Sequence, residues 1–463
     1  MGSPFSHIDL GLLKKYDRPG PRYTSYPTAP LFTDKFTAAD YMGEIAATNP
    51  PHAVSDISLY IHFPFCDTLC YFCGCTMLVT RDRTRIEEYN DFVKKEIDLI
   101  APRLSPERNI VQVHWGGGTP THLSPDQIRD VARHIRAAFR IRPDAEMSVE
   151  IDPRELTRDH LVALRESGFN RMSMGVQDFD EKVQAAVNRV QPREMSMQVY
   201  TWATEVGFQS INIDLIYGLP FQSLASFERT VQEVIAFSPD RIAVFNYAHV
   251  PWLKSHQKLI HQEDLPSPAL KLEILKMTIE TLCGNGYVYI GMDHFAKPND
   301  ELAVAQREKT LYRNFQGYST KSGADLYGFG MSSISHFQNI YAQNIKTLPD
   351  YYRSIADGVP ATHVGYRMTE DDQVRKYVIM RLMCDLELDI GAVESRFGIE
   401  FDDYFERSLA ALQPLAEDGL VSFSPGKIEV IGAGRLLLRN IAMCFDAYLE
   451  SMTKSKPVFS RTV

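Results

Sequence analysis

The sequence predicts an α/β fold, a sheet of successive parallel βα units followed by a small, mostly helical, winged-helix-like C-terminal domain. Between Ser58 and Tyr247, short segments alternate apolar and polar residues with the two-residue period of a strand, and the stretches between them space apolar residues along one helix face. Beyond Gly358 and Pro360 this pattern gives way to helices and one hairpin. The expected division is an N-terminal arm over residues 1–55, a barrel domain with an extension over 56–360, and a helical domain over 361–463.

Each expected strand has one apolar face. Leu59 and Ile61 oppose Tyr60 and His62, and Val111, Val113 and Trp115 oppose Gln112 and His114. Met147, Val149 and Ile151 exclude Ser148 and Glu150; Met172, Met174 and Val176 leave Ser173, Gly175 and Gln177 on the other side; Ile211, Ile213 and Leu215 oppose Asn212 and Asp214. Between the first two strands, Tyr89, Phe92, Val93, Ile97 and Ile100 keep helical spacing. After the second, Ser124 as N-cap, Pro125 at the first helical position and Gln127 closing a capping box announce a helix carrying Ile128, Val131, Ala132, Ile135, Ala138 and Phe139. In a parallel barrel the polar faces point inward, which brings Glu150, Gln177 and Asp214 to one rim at the carboxyl ends of the strands, where barrel enzymes build their sites. The alternative is an open doubly wound sheet whose polar strand ends meet solvent. In the last segment Leu409, Leu412 and Leu415 form a helix face, Gly419 caps it, and residues 420–423 pair with 428–430 across Ser424-Pro425-Gly426.

Composition narrows the function. A chain of 463 residues with 44% hydrophobic and 23% charged residues is globular, and its net charge of -10 gives no electrostatic footprint for nucleic acid. The C-terminal domain lacks a basic recognition helix, so it is expected to pack or to cover substrate. No apolar run approaches the roughly 20 residues that span a bilayer, and the N-terminus lacks the basic and apolar regions of a signal peptide. A cytoplasmic protein, without membrane or nucleic-acid partners, is expected. Met1-Gly2 followed by Ser6 formally matches a myristoylation pattern, but nothing nearby supplies a second membrane signal.

Of seven cysteines, four sit at Cys66, Cys70, Cys73 and Cys75, while Cys283, Cys384 and Cys444 stand singly and read as buried free thiols. Three closely spaced thiolates can hold three irons of a [4Fe-4S] cluster and leave the fourth iron open, so Cys66, Cys70 and Cys73 are the candidate metal ligands. A zinc site that adds Cys75 is the alternative. Against it, Cys73 and Cys75 are separated by a single residue, unlike a C-x2-C knuckle, and Phe63, Phe65, Tyr71 and Phe72 suit a dry redox centre. Gly116-Gly117-Gly118-Thr119-Pro120 ends the second strand and is neither a P-loop nor a dinucleotide fingerprint. Its bare backbone either closes a tight loop or lets a ligand approach, carbonyls to an ammonium and amides to a carboxylate. Glu150, Gln177 and Asp214 are acceptors for ribose hydroxyls or solvated strand ends, and Arg189 is a carboxylate clamp or a surface charge.

The Cys-x3-Cys-x2-Cys loop with an aromatic before the third cysteine resembles radical S-adenosylmethionine (SAM) enzymes. More narrowly, Tyr60-Ile61-His62-Phe63-Pro64-Phe65-Cys66 with Cys73-Gly74-Cys75 resembles the oxygen-independent coproporphyrinogen III oxidases. The likeness extends to Gly20-Pro21-Arg22-Tyr23-Thr24-Ser25-Tyr26-Pro27-Thr28, His114-Trp115-Gly116-Gly117-Gly118-Thr119-Pro120-Thr121 and Arg313-Asn314-Phe315-Gln316-Gly317-Tyr318. It departs at Thr76-Met77, where the family carries Asn-Lys.

The resemblance implies a partial (β/α)6 radical SAM barrel, one [4Fe-4S] cluster on Cys66, Cys70 and Cys73, and two SAM molecules in one cavity. The cluster-bound SAM would meet Tyr60, Phe72, Gly117, Glu150 and Ile334; the second would meet Gly118, Thr119, Gln177, Arg189, Asp214 and Ala248. No catalytic side chain is assigned beyond cluster and SAM. The implied reaction is oxidative decarboxylation of two propionates of coproporphyrinogen III to vinyl groups, giving protoporphyrinogen IX, with electrons from a donor such as flavodoxin or ferredoxin and with the enzyme a monomer. Arg22 is a candidate propionate contact. A haem-binding radical SAM relative that carries tetrapyrrole without decarboxylating it is the alternative.

Overall fold

A computed structural model describes residues 9–452 and 459–462; the myristoylation pattern at Met1, Gly2 and Ser6 lies outside the described residues. Six parallel strands follow one another in both sequence and space: β1 (Ile57–Phe63), β2 (Ile110–Gly117), β3 (Ile141–Ile151), β4 (Arg171–Gln177), β5 (Ser210–Tyr217) and β6 (Arg241–Asn246). Helices α1 (Arg83–Ile100), α2 (Pro125–Ala138), α3 (Arg158–Glu166), α4 (Arg193–Glu205) and α5 (Leu224–Phe237) make the crossovers. The apolar strand faces are the ones they cover: Leu59, Ile61, Val113, Trp115, Val149, Met174, Ile213 and Leu215 are all fully buried. At about 25 cal/mol per Å² of apolar surface, this layer is the main stabilising term of the fold.

Local signals place the helices. The expected capping box opens α2, where the Ser124 hydroxyl accepts from the Gln127 amide (3.3 Å) and the Gln127 side chain accepts from the Ser124 amide (3.0 Å), a cap worth about 1 kcal/mol. The helix ends at Ala138, one residue before Phe139, which already has extended backbone.

The sheet is larger than the alternation foretells. Beyond β6 it continues antiparallel through β7 (Val288–Gly291) and β8 (His294–Ala296). Beside β1 it continues through β11 (Asp325–Phe329), which is parallel to β1, and then antiparallel through β12 (Ile334–Phe337), β13 (Ile340–Asn344) and β14 (Thr362–Arg367). The twelve strands run β14-β13-β12-β11-β1-β2-β3-β4-β5-β6-β8-β7, with no pairing between the two edges, so the barrel is partial. A separate hairpin joins β9 (Tyr312–Asn314) to β10 (Gly317–Ser319). Strand β14 lies beyond residue 360, where the sequence pattern changes; it is a half-exposed edge strand, so its alternation is weak.

Past β14 come α6 (Glu370–Asp385), α7 (Ile390–Phe397) and α8 (Glu406–Glu417), with β15 (Glu387–Asp389), β16 (Val421–Ser424) and β17 (Lys427–Val430) in the order β15-β17-β16. Leu412 and Leu415 of α8 are buried, and Gly419 beyond its end has the left-handed φ of 71°. The hairpin is tighter than expected. Ser424 pairs with Lys427, leaving a two-residue turn at Pro425-Gly426 with Gly426 at φ 74°. Of the three single cysteines only Cys384 is fully buried; Cys283 and Cys444 are half-buried, free thiols. Among the described residues, no helix is long and apolar enough to cross a membrane.

Candidate active site

A cavity of about 400 Å³ opens at the carboxyl ends of the parallel strands. Cys66, Cys70, Cys73 and Cys75 line it together with Phe72, Gly117, Gly118, Thr119, Glu150, Gln177, Arg189 and Asp214. The polar strand faces therefore point inward, and Gln112, His114, Ser148 and Asn212 join them. Three predicted residues stand apart from this lining: Tyr60, Ala248 and Ile334. Tyr60 lies one layer behind, its ring stacked on His114 (centroids 5.9 Å apart) and its hydroxyl 3.0 Å from His62 Nδ1. Ala248 follows the end of β6, and Ile334 packs with Phe32, Phe315 and Tyr341 at the start of β12.

The cysteine loop leaves β1 and is held from several sides. The Phe72, Cys73 and Cys75 carbonyls face Gln257 Nε2 (3.0 Å), His256 Nε2 (2.7 Å) and Lys254 Nζ (2.9 Å), all from one short 3-10 turn region. Asn188 donates to the Leu69 carbonyl at 2.8 Å. Phe72 and Tyr71 pack against buried Val183, Val187, Leu219, Tyr247 and Ile260, which gives the loop its dry side. The Thr76-Met77 departure is accommodated through backbone, because His62 Nε2 meets the Thr76 carbonyl at 2.9 Å whatever the side chain.

The thiols are sulfur donors in a mostly water-poor wall. Burial pushes the Cys66 thiol up to about 12, with a hydroxyl hydrogen bond from Thr119 (3.3 Å) opposing it. Hydrogen bonding from Cys75, against burial, pulls Cys73 down to about 6. Cys70 faces two guanidinium groups, Arg154 Nη2 at 3.4 Å and Arg189 Nη1 at 3.5 Å. Asp152 ties the two arginines together, with Arg154 Nη2 at 2.6 Å and Arg189 Nη1 at 2.9 Å from one carboxylate oxygen. Burial works to raise the Asp152 carboxyl, but those two charges outweigh it and hold it at about 2. Sequence spacing missed Asp152 and Arg154; their only signal was their place at the end of β3. Arg189 is a buried clamp, 6% exposed, that also donates to the Gly175 carbonyl at 2.7 Å, and not a surface charge.

Among the described residues, no three His, Cys, Asp or Glu side chains converge on one point as a single ion requires. Three thiols from one loop line one cavity, and soft thiolates with flanking cations suit the negative charge of an iron-sulfur core in which each sulfur takes a different iron. The donor set fits the [4Fe-4S] group.

The glycine run corrects one expectation. A Cβ on Gly116 would meet the Glu150 carboxylate (2.9 Å), one on Gly117 the His62 ring (2.5 Å) and one on Gly118 the Pro64 backbone (2.7 Å). The glycines therefore let β2 pack under the cysteine loop. Their amides are already occupied: Gly117 donates to Glu150 (3.1 Å), Gly118 to the Phe63 carbonyl (2.7 Å) and Thr119 to the Phe65 carbonyl (2.8 Å). These amides are not open to a ligand carboxylate.

Two carboxylates complete the rim. Burial works to raise Glu150, but the His114 hydrogen bond (3.3 Å) and charge and the Gly117 amide outweigh it and hold it below the usual range. With 45% of its side chain exposed to the cavity, it remains open to a ligand's hydroxyls. Asp214 accepts from Ser173 (2.8 Å) and Asn212 (2.7 Å), yet burial, with Glu150 adding to it, raises it to about 6. Gln177 sits at φ 71°, its amide packed beside Gly175.

Comparison with known proteins bears on this site. Residues 60–234 match the model of the Radical SAM superfamily, and residues 368–437 match that of the HemN C-terminal domain. The chain is 48% identical to the oxygen-independent coproporphyrinogen III oxidase of Salmonella typhimurium, over 98% of both chains. It is 45% identical to the protein of that name from Synechocystis sp., over 99% of both. Among solved structures it is similar to the coproporphyrinogen III oxidase (HemN) of Escherichia coli, described as a radical SAM enzyme, with a TM-score of 0.91 and 47% identity, covering 96% of this chain and 99% of that one.

Proposed function

Because this chain belongs to the oxygen-independent coproporphyrinogen III oxidases of the radical SAM superfamily, we propose how its own residues divide the work of that reaction. The protein is an oxidoreductase that converts two propionate side chains of coproporphyrinogen III to vinyl groups, giving protoporphyrinogen IX, and it uses a [4Fe-4S] cluster and SAM. Its fold is a partial radical SAM barrel with a helical C-terminal domain. Neither a tetrapyrrole carrier nor a zinc-stabilised protein is favoured. When bound, cluster and SAM supply one-electron chemistry by way of a 5′-deoxyadenosyl radical, and an external acceptor takes the electron left after carbon dioxide departs.

In this reading Cys66, Cys70 and Cys73 hold the cluster. Arg154 and Arg189 steady the charge at Cys70, and Cys75 remains a neighbouring thiol. Glu150 binds ribose hydroxyls of the cluster-bound SAM, the Gly117 carbonyl takes its ammonium, and Phe72 excludes water beside it. Tyr60 supports this site from behind His114, and Ile334 supports it from β12, behind the cavity lining. A second SAM would lie against Gly118, Thr119, Gln177, Arg189, Asp214 and Ala248. The side chains bind, orient and keep the site dry, and none of them transfers a proton or forms a bond. A flavodoxin or ferredoxin would supply electrons to a cytoplasmic monomer. The division at residues 55 and 360 into an arm, a barrel domain and a helical domain is kept as a functional one, with β14 reaching back across it into the barrel sheet.

The observation that carries this assignment is that three thiols from one loop share a cavity with inward carboxylates from β3 and β5. Anaerobic reconstitution followed by mass analysis of coproporphyrinogen turnover tests it. Cys70→Ser is expected to lose the charge-transfer absorbance of the cluster and all turnover, whereas Cys75→Ser retains both. Turnover by the Cys70→Ser protein removes the cluster from the reading.

A further inference from the structure

The Arg313–Tyr318 motif forms the β9–β10 hairpin, and no residue in it has a role in the division above. The hairpin crosses the barrel lumen: Gly317 sits beside the His294 ring, and at the other side Gln112 of β2 donates to Ser319 at 3.4 Å. Gln316, Tyr318 and Ser319 line the cavity together with His294 and Arg241. Arg241 opens β6, while the cysteine loop follows the end of β1. A strand rises about 3.3 Å per residue, so the six residues of β6 separate these two ends of the lumen by roughly 17 Å.

This end holds buried polar atoms without partners. Arg313 is 3% exposed, and its guanidinium lies 4.7 Å from the centre of the Tyr318 ring. Its Nε faces the Arg22 carbonyl at 3.3 Å, but its Nη1 has no partner, and among the described residues no carboxylate pairs with it. Both amide atoms of Gln316, His294 Nδ1 and Arg241 Nη2 are likewise buried and unpartnered. Neighbouring arginines are satisfied differently. Arg22 has Asp293, Arg241 keeps Asp300 on its Nε at 2.9 Å, and Arg439 donates to four backbone carbonyls. Arg22, the expected propionate contact, thus already has a carboxylate. Burial, with Arg313, Arg22 and Arg241 adding to it, lowers His294 to about 3, so the ring is neutral at physiological pH. Of these guanidinium groups, Arg313 has neither a carboxylate nor acceptors for all of its donors among the described residues, and a buried charge of this kind is costly until an anion meets it.

We propose that this end is the carboxylate anchor of the cavity: Arg241 Nη2 and the Gln316 amide hold a substrate propionate other than the one reacting, and the charge of Arg313 beside them makes the site selective for that anion. The inference rests on the tetrapyrrole reading of the cavity and adds to it the residues that orient the substrate. A carboxylate fixed here turns the opposite edge of the macrocycle toward the cysteine loop. Because the anchor binds the resting side chain, it sets which propionate is presented.

Steady-state turnover of coproporphyrinogen III under anaerobic conditions tests this, with Arg313→Gln and Gln316→Glu beside the wild type. Both variants are expected to raise KM for coproporphyrinogen on the order of 10- to 100-fold, more than kcat falls, while KM for SAM stays as in the wild type. Gln316→Glu places a carboxylate among the guanidinium groups at this end of the lumen, so its melting temperature should be held even as substrate is repelled. A purely structural hairpin gives no such split. If KM for SAM rises instead, or if Gln316→Glu leaves KM for coproporphyrinogen unchanged, the anchor is overturned. Should Arg313→Gln fail to fold, Gln316→Glu decides alone. A wild type that does not turn over coproporphyrinogen fails the tetrapyrrole reading itself, before any variant is compared.

Discussion

At the scale of single residues, Asp214 shows how burial and function oppose each other. Its carboxyl is raised to about 6 by desolvation and by Glu150, against hydrogen bonds from Ser173 and Asn212 and the charge of Arg189. The folded state therefore holds a proton that the unfolded chain has released, across the window from the ordinary value near 3.8 to about 6. Stability from this group is fully present below that window and is lost as pH rises through it, at up to about 1.4 kcal/mol per pH unit. Asp214→Asn removes this slope. Denaturation midpoints of variant and wild type should diverge in the variant's favour between pH 4 and pH 7, roughly the window just derived. The same variant should bind SAM more weakly, since an acceptor for its hydroxyls has been halved; equal pH profiles would show that Asp214 is not the buried acid described.

At the scale of elements, the decisive contact is β2 beneath the cysteine loop. A methyl group at position 118 meets the Pro64 and Phe65 backbone within 2.9 Å, and backbone cannot rotate away as a side chain can. Gly118→Ala should cost about 1–3 kcal/mol and lower the iron bound per chain after reconstitution, measured by thermal melting and iron analysis. Full iron loading with an unchanged melting temperature would contradict the packing role. The sequence made this run visible without giving its reason, because glycine spacing is the same whether a ligand or another strand approaches. Helix α2 was legible for the opposite reason: Ser124, Pro125 and Gln127 interact within one turn, so local order carries the whole signal. Strand β14 was not, since a half-exposed edge strand needs no apolar alternation.

For the whole molecule, both ends of the described chain meet. Gly20 N donates to the Ser460 carbonyl (3.0 Å) and Thr462 N to the Arg18 carbonyl (2.8 Å). Arg439, 5% exposed, joins Pro21 (3.0 Å), Gly20, Ser460 (3.1 Å) and Arg461 (2.8 Å) through their carbonyls. Arg439→Ala should leave these acceptors unmatched at a cost of about 2–4 kcal/mol and free the arm for cleavage. Limited proteolysis with mass analysis reads this directly, and an arm that stays resistant would mean that other contacts suffice. The arm carries Arg22 to Asp293 and Phe245 at the cavity, so its release is also expected to weaken substrate binding.

By itself the sequence determined the strand faces, the helix starts, the grouping of the four cysteines in one loop and the inward carboxylates Glu150 and Asp214. All of these follow from periodicities and spacings within a few residues, which backbone geometry enforces wherever the segment lies. Only the tertiary structure decided that Asp152 links Arg154 and Arg189 beside Cys70, that a Cβ on any of the three glycines would run into protein, and that Arg313 lies buried without a carboxylate at the far end of the lumen. Those pairings join residues far apart in the chain. Their geometry is set by sheet register and by the curl of the barrel, which no local spacing encodes.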